Sequence, residues 1–238
     1  GYIMHFDQAF VIGFPDQKSE RLDRFFESCQ IAGIQVEIFP AVRGDSIDLI
    51  QWAQDGYLVS DFKMNMPGSL GCLLSHVTLW EKIYNDPDVN IALICEDDAI
   101  LENDFLLKLN EISWDEVPDD WDVIRLACHK ITGDSVSDHV MRPPTGYIKG
   151  ANAGTYCYLV KAANAMKLKD ILTPYDNRRS MDVMLKTRSD QYRLYVLKTP
   201  LADEQRFRYS LRKDMNLKHK NGGFFRHLAN WITARWLR

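Results

Sequence analysis

Ile91-Ala92-Leu93-Ile94-Cys95-Glu96-Asp97-Asp98 is the stretch on which the architecture turns. An uninterrupted apolar run that stops abruptly at three acids predicts a central strand buried on both faces, the signature of a sheet covered by helices on two sides. Upstream, Ala9 to Phe14 reads as another buried strand. Ser19 can cap a helix running to Ala32, because Leu22, Phe25, Phe26 and Cys29 recur at helical spacing on one face. Gly33 suits a left-handed stop, and Gln35 to Phe39 follows as a strand. This is a β-α-β unit, the usual opening of a mostly parallel sheet. Further along, helices are predicted over Leu70 to Tyr84, Asp104 to Asn110, Lys161 to Lys169 and Ser180 to Thr187. Strands are predicted over Val123 to Ala127, Thr155 to Val160 and Tyr192 to Leu197. Cys128 to Gly150, with Pro143 and Pro144 and no clear period, reads as a long mobile loop.

The chain has 238 residues, enough for one large domain with a small appendage. The division expected is a domain over 1–214 and a basic amphipathic tail over 215–238. With 29 Lys and Arg against 33 Asp and Glu, the net charge of −4 excludes a strongly basic nucleic-acid binder. No apolar run is long enough to span a membrane. The first ten residues lack the pattern of a secretory signal. The cysteines (Cys29, Cys72, Cys95, Cys128 and Cys157) are odd in number and widely spaced among apolar neighbours, which fits small buried hydrophobes rather than a disulfide or zinc framework. These features together predict a cytoplasmic protein.

Three consecutive acids at a strand end repel one another, and a cation would relieve the repulsion. Open α/β sheets bind ligands at the carboxyl ends of their strands. Hard oxygen donors there suit Mg²⁺ or Mn²⁺, which can bridge to a diphosphate. The alternative is that one acid caps the following helix and the others are solvated. Other acidic motifs fail. The strand Val123 to Ala127 ends in Cys128 rather than a phosphoacceptor aspartate, so a receiver domain is excluded. Asp98 is followed by Ala99 and Ile100, against a haloacid-dehalogenase phosphatase. Neither a phosphate-binding Gly-x-x-x-x-Gly-Lys loop nor a Gly-x-Ser-x-Gly elbow is present.

Gly68-Ser69-Leu70-Gly71-Cys72-Leu73-Leu74-Ser75-His76, then Leu79-Trp80-Glu81-Lys82-Ile83, then the strand with Glu96-Asp97-Asp98, closely resembles glycosyltransferase family 25. That family includes bacterial lipooligosaccharide galactosyltransferases and collagen galactosyltransferases. Phe39-Pro40-Ala41-Val42-Arg43-Gly44, Trp121 to Leu126, Gly154 to Val160, Met181-Asp182 and Pro200 to Gln205 extend the resemblance in the right order. The family's first strand usually ends in Asn-Leu-Asp, whereas Gly13-Phe14-Pro15-Asp16 stands here.

The resemblance implies a GT-A-like α/β fold, a UDP-sugar donor, Mn²⁺ (or Mg²⁺) and inverting transfer of a hexose, galactose above all, to a saccharide hydroxyl. Such transfer builds negative charge on the leaving diphosphate, which a cation held by Asp98 neutralises. Glu96 is then the second ligand or a donor-sugar contact, and Asp97 hydrogen-bonds the ribose. Arg21 is placed to meet the phosphates, His76 to face the donor pocket and Thr155 to line the sugar site. His76 reads equally well as a packing residue, and Arg24 as part of a solvated helix face. A carboxylate must take the acceptor proton. Asp182 is the first candidate, and Asp203 or Glu204 the second. Arg125, a charge within a strand, is expected to pair with an acid of the 96–98 cluster. Arg43-Gly44-Asp45 spells an adhesion tripeptide by chance.

The tail can be drawn as a helix over 224–238. Phe225, Trp231, Ile232 and Trp236 lie on one arc, with Lys218 and Lys220 upstream. It either packs on the core or lies on anionic lipid. The second option fits a lipid-linked saccharide acceptor, a role in lipooligosaccharide or lipopolysaccharide biosynthesis, and peripheral attachment to the cytoplasmic face of the inner membrane. The competing functional reading is a catalytically silent domain of the same fold that binds nucleotide-sugars or glycans.

Overall fold

The computed structural model describes residues 4–207 except Tyr147. The expected boundary between 214 and 215 and the amphipathic helix over 224–238 lie outside the described residues.

The chain opens with β1 (Gln8–Gly13), α1 (Glu20–Ala32) and β2 (Glu37–Pro40), the expected β-α-β unit. The Ser19 side chain accepts a hydrogen bond from Leu22 N at 3.2 Å and starts α1, and Gly33 ends it at φ 77°. Next come α2 (Leu49–Gln54), α3 (Pro67–Tyr84), β3 (Ile91–Glu96), β4 (Ala99–Leu101) and α4 (Phe105–Glu111). The remainder is β5 (Val123–Arg125), β6 (Asp134–Ser135), β7 (Val140–Arg142), β8 (Cys157–Lys161), α5 (Ala165–Leu172), α6 (Met181–Thr187), β9 (Leu194–Leu197) and β10 (Ala202–Glu204). No helix among the described residues is long and apolar enough to cross a membrane.

The main sheet has the order β2-β1-β3-β8-β5-β9-β7-β6. Strands β2, β1, β3, β5, β9 and β6 run one way, and β8 and β7 run against them. β3 is central, as its apolar run requires. Its alternate residues serve two cores: Ala92 and Ile94 pack with α3, α5 and α6, whereas Leu93 and Cys95 pack with α1, β4 and α4. That alternation places Glu96, the last residue of β3, on the α3 side, and Asp97 and Asp98 lie in the turn that follows.

Several elements differ from the sequence expectation. Part of the stretch read as a mobile loop is ordered: β6 and β7 form a hairpin that extends the sheet beyond β9. Such short pairs lack a hydrophobic period and are stabilised by the edge they join. α3 starts at Pro67 rather than Leu70, because proline suits the first helical turn. The helix expected from Lys161 starts at Ala165, after a 3₁₀ turn over Ala162–Asn164 that follows β8. β4 and β10 pair antiparallel in a separate two-stranded sheet and carry the chain back to the acidic turn.

Candidate active site

The carboxyl ends of β1 and β3 and the N-terminal turns of α3 enclose a cleft of about 640 Å³. Its walls are Gly13 at the end of β1 and Phe14 just after it, Arg21 from α1, the loop Ala41 to Asp45 after β2, the α3 residues Pro67, Gly68, Gly71, Cys72, Ser75 and His76, and Glu96 to Asp98. Two glycines let the backbone close up here. A Cβ on Gly44 would lie 2.0 Å from the Pro67 carbonyl, and one on Gly71 would lie 2.6 Å from the Val42 carbonyl. Ser75 fastens the same loop, its Oγ accepting from Val42 N at 2.8 Å while its hydroxyl donates to the Gly71 carbonyl at 2.6 Å. The first turn of α3 thus reaches the cleft edge, and the positive end of its dipole adds to Arg21 and Arg43. Arg43 lies over the Phe14 ring, 4.2 Å from its centroid.

Glu96 continues the parity of Ala92 and Ile94 and therefore faces α3. Its Oε2 accepts from the Thr155 hydroxyl at 2.8 Å and from His76 Nε2 at 2.9 Å, with Cys72 Sγ 3.8 Å away. Behind it, the Tyr158 hydroxyl lies 2.6 Å from His76 Nδ1 and accepts from Trp80 Nε1 at 3.0 Å. An indole N–H only donates, so the Tyr158 hydroxyl is free to give its proton to Nδ1, and the imidazole proton belongs on Nε2, facing Glu96. Burial pushes the Tyr158 hydroxyl well above its ordinary value, which keeps that proton in place. His76 is both packed and oriented toward the cleft.

Asp97 has the opposite parity and faces α1, where Arg21 Nη2 lies 3.4 Å from its Oδ2. Burial raises Asp97, and the arginine opposes the rise. Asp98 carries the least satisfied charge. Its Oδ1 is buried without a hydrogen-bond partner. Burial, with repulsion from Glu96, Glu204 and Asp97, pushes the carboxyl up to about 8. A buried, unpartnered carboxylate oxygen among hard donors is chemically suited to a divalent cation. Gln205 braces this turn. Its backbone N–H donates to the Asp98 carbonyl at 2.7 Å, and its Nε2 lies within hydrogen-bond reach of the Arg21, Asp97 and Ala99 carbonyls at 2.8, 3.2 and 3.0 Å.

Arg21, His76, Glu96, Asp97 and Asp98 thus share one cleft, and Thr155 joins them through Glu96. Asp182 sits next to this group: Gly154 N donates to its Oδ2 at 3.2 Å, one residue before Thr155. Arg125, buried, pairs with Asp182 at 3.1 Å and not with the 96–98 acids; Lys186 approaches the same carboxylate at 3.4 Å. Glu204 is not brought to the cleft. It is buried against His129 and pairs with Arg206 Nε at 2.8 Å. Burial alone would raise Glu204, but His129 and Arg206 more than offset it and hold the carboxyl below its usual range. Arg43, Gly44, Asp45, Cys72 and Gln205 were not predicted as site residues. For the tripeptide, a signal existed in its place just after a strand end. For Gln205, distant in sequence from the acids it braces, none did.

The family described as "Glycosyltransferase family 25 (LPS biosynthesis protein)" matches residues 6–185. The mouse (Mus musculus) protein named procollagen galactosyltransferase 2 is 31% identical over 132 residues, covering 51% of this chain and 20% of that protein. A human (Homo sapiens) relative named inactive glycosyltransferase 25 family member 3 is 27% identical over 175 residues, covering 68% of this chain and 28% of that one. The chain therefore spans less than a third of the length of these curated relatives. Among solved structures, the apo-form glycosyltransferase GlyE of Streptococcus pneumoniae aligns over 80% of this chain and 45% of its own, at TM-score 0.42 and 12% identity.

Proposed function

The chain belongs to glycosyltransferase family 25, and from that premise we propose a metal-dependent inverting glycosyltransferase that moves a hexose, galactose first, from a UDP-sugar to a saccharide hydroxyl. The observation that carries the reading is Asp98 Oδ1, buried and unpartnered within the acidic turn that lines the cleft. Asp98, with Glu96 as second ligand or donor-sugar contact, would hold Mn²⁺ or Mg²⁺, which as a Lewis acid compensates charge on the leaving diphosphate. The protein's own groups do the rest. Arg21, Arg43 and the first turn of α3 supply positive charge for the diphosphate, and Asp97 is available to the ribose hydroxyls. Thr155 and His76 hold Glu96 in one orientation, so donor contacts are preorganised. Asp182, tethered at Gly154 beside the Thr155–Glu96 contact, takes the acceptor proton.

On this reading the acceptor is a lipid-linked saccharide of lipooligosaccharide or lipopolysaccharide assembly. The basic, aromatic tail over 215–238 then brings the enzyme to the cytoplasmic face of the inner membrane. Vesicle co-sedimentation tests that part: the full chain should bind anionic vesicles in a salt-sensitive way, and a chain ending at Gly222 should not. The activity itself is tested by screening UDP-sugars for Mn²⁺-dependent hydrolysis and for transfer to saccharide acceptors. Turnover of one donor with release of UDP supports the proposal, and absence of turnover for every donor refutes it. The second reading, a silent nucleotide-sugar-binding domain, is favoured by Gly13-Phe14-Pro15-Asp16 at the end of β1. It expects binding of UDP with Mn²⁺ and no turnover.

A further inference from the structure

Cys72 and His76 are one turn apart on α3, at the i, i+4 spacing that sets two side chains on one helix face. The Cys72 sulfur, one His76 ring nitrogen and a Glu96 carboxylate oxygen all lie within 4.8 Å of one another. We propose that Cys72, His76 and Glu96 form a binding site for a thiophilic divalent cation, Zn²⁺ above all, distinct in ligand chemistry from the oxygen donors around Asp98. Thiolate, imidazole and carboxylate are the zinc ligand set, whereas Mn²⁺ and Mg²⁺ prefer oxygen.

The geometry is close to what the ion needs. Zinc bonds of about 2.0–2.3 Å in a tetrahedron put ligand atoms roughly 3.3–3.8 Å apart. Cys72 Sγ is already 3.8 Å from Glu96 Oε2, and His76 Nε2, at 2.9 Å, has to draw back by a few tenths of an ångström. All three residues line the cleft, and three protein ligands leave a fourth position for water, as in an open rather than a closed zinc site. The buried Tyr158 hydroxyl, 2.6 Å from Nδ1, provides the outer hydrogen bond that a metal-bound imidazole requires. Protons balance simply. The Cys72 thiol releases its proton to solvent, and the His76 proton moves from Nε2 to Nδ1, where the Tyr158 oxygen accepts it once its own O–H, retained on the tyrosine, has rotated away from Nδ1. One proton leaves per ion bound. On the transferase reading, the bound ion withdraws Glu96 from the donor and so inhibits. The site itself stands without that reading.

Co²⁺ titrated alone into the full chain is the probe, because a cobalt–thiolate bond announces itself by a near-ultraviolet charge-transfer band, independently of activity. The expected result is a saturable band, with tetrahedral d–d absorption, that Zn²⁺ displaces. Cys72→Ser removes the charge-transfer band, while Asp98→Asn keeps it although it removes the oxygen-donor site. A wild-type chain that gives no such band, or a band that survives Cys72→Ser, overturns the proposal. If Cys72→Ser does not fold, folded His76→Gln serves instead: it weakens Co²⁺ affinity by about ten-fold or more, and unchanged affinity overturns the assignment.

Discussion

Replacing Gly71 by alanine tests how tightly the cleft is closed, because two physical effects there have opposite signs. In a helix, alanine is favoured over glycine by about 1 kcal/mol, so propensity alone predicts a stabilised protein. The tertiary structure reverses the sign. A Cβ at position 71 would sit 2.6 Å from the Val42 carbonyl oxygen and 3.1 Å from Gly44 N, where ordinary contact starts at 3.4 Å. Both neighbours are backbone, so the loop Ala41 to Asp45 must move off α3 by roughly 3.4 − 2.6 = 0.8 Å. That movement strains the Val42 N to Ser75 Oγ bond, a loss of about 1 kcal/mol. Overpacking adds about 1–3 kcal/mol. After subtracting the propensity gain, Gly71→Ala is destabilised by about 1–3 kcal/mol, and at about 2–4 °C per kcal/mol its Tm falls by roughly 2–12 °C. Gly68 is the internal control: it lies in the same helix and cleft, but nothing stands within 4 Å of a Cβ there. Gly68→Ala should melt at or slightly above wild type, by no more than about 4 °C. Thermal and urea unfolding of the three proteins, followed by circular dichroism, decide the matter. A Gly71→Ala protein as stable as Gly68→Ala would show that the loop and helix are not in backbone contact and that the cleft is wider than described.

Three further outcomes bear on the chemistry. Asp98→Asn should retain the fold and lose divalent-dependent turnover by about 10²–10³, because an amide is a poorer ligand for the cation that compensates the leaving-group charge; initial rates across a Mn²⁺ titration measure it, and a change of only a few-fold removes Asp98 from the site. Asp182→Asn should lower kcat by about 10²–10⁴ with UDP affinity nearly intact, and should also lower the melting temperature, because the carboxylate is the partner of buried Arg125; rates are therefore compared at a temperature where the variant is folded, and an unchanged kcat there removes Asp182 as the base. Glu204→Gln should cost about 3 kcal/mol at neutral pH by breaking the buried pair with His129 and Arg206. Because folding lowers the Glu204 value from the usual 4.5, its contribution is present above 4.5 and is lost as pH falls through the folded value. The stability gap between the two proteins, followed by urea unfolding, should therefore shrink on acidification, and a gap that is constant from neutral to acid pH contradicts the pairing.

Much of this site is local information. Ser19, Gly33 and the apolar spacing between them define α1 without reference to the rest of the chain, because caps and periodicity act within a few residues. The run Ile91 to Cys95 and the acids after it locate the sheet centre and the chemically charged turn for the same reason. Strand alternation even separates Glu96 from Asp97. It does not say what each acid meets. That Glu96 faces Thr155 and His76, that Asp182 answers Arg125, and that Glu204 is taken up by His129 are pairings between segments far apart in sequence. The β6–β7 hairpin has no period of its own and owes its order to the edge of β9.

The sequence by itself determined the principal strands and helices, though not the short α2, β4, β6, β7 and β10, and that a negative turn closes the central strand, since burial period, capping and mutual repulsion of like charges are properties of neighbouring residues. Only the tertiary structure decided which carboxylates are free to meet a ligand and which are consumed as counter-ions. Whether a charge is available depends on the partners that chain packing delivers to within a few ångströms. Asp98 and Glu204 are both acids at strand ends, yet only Asp98 is left with a buried oxygen that no side chain answers.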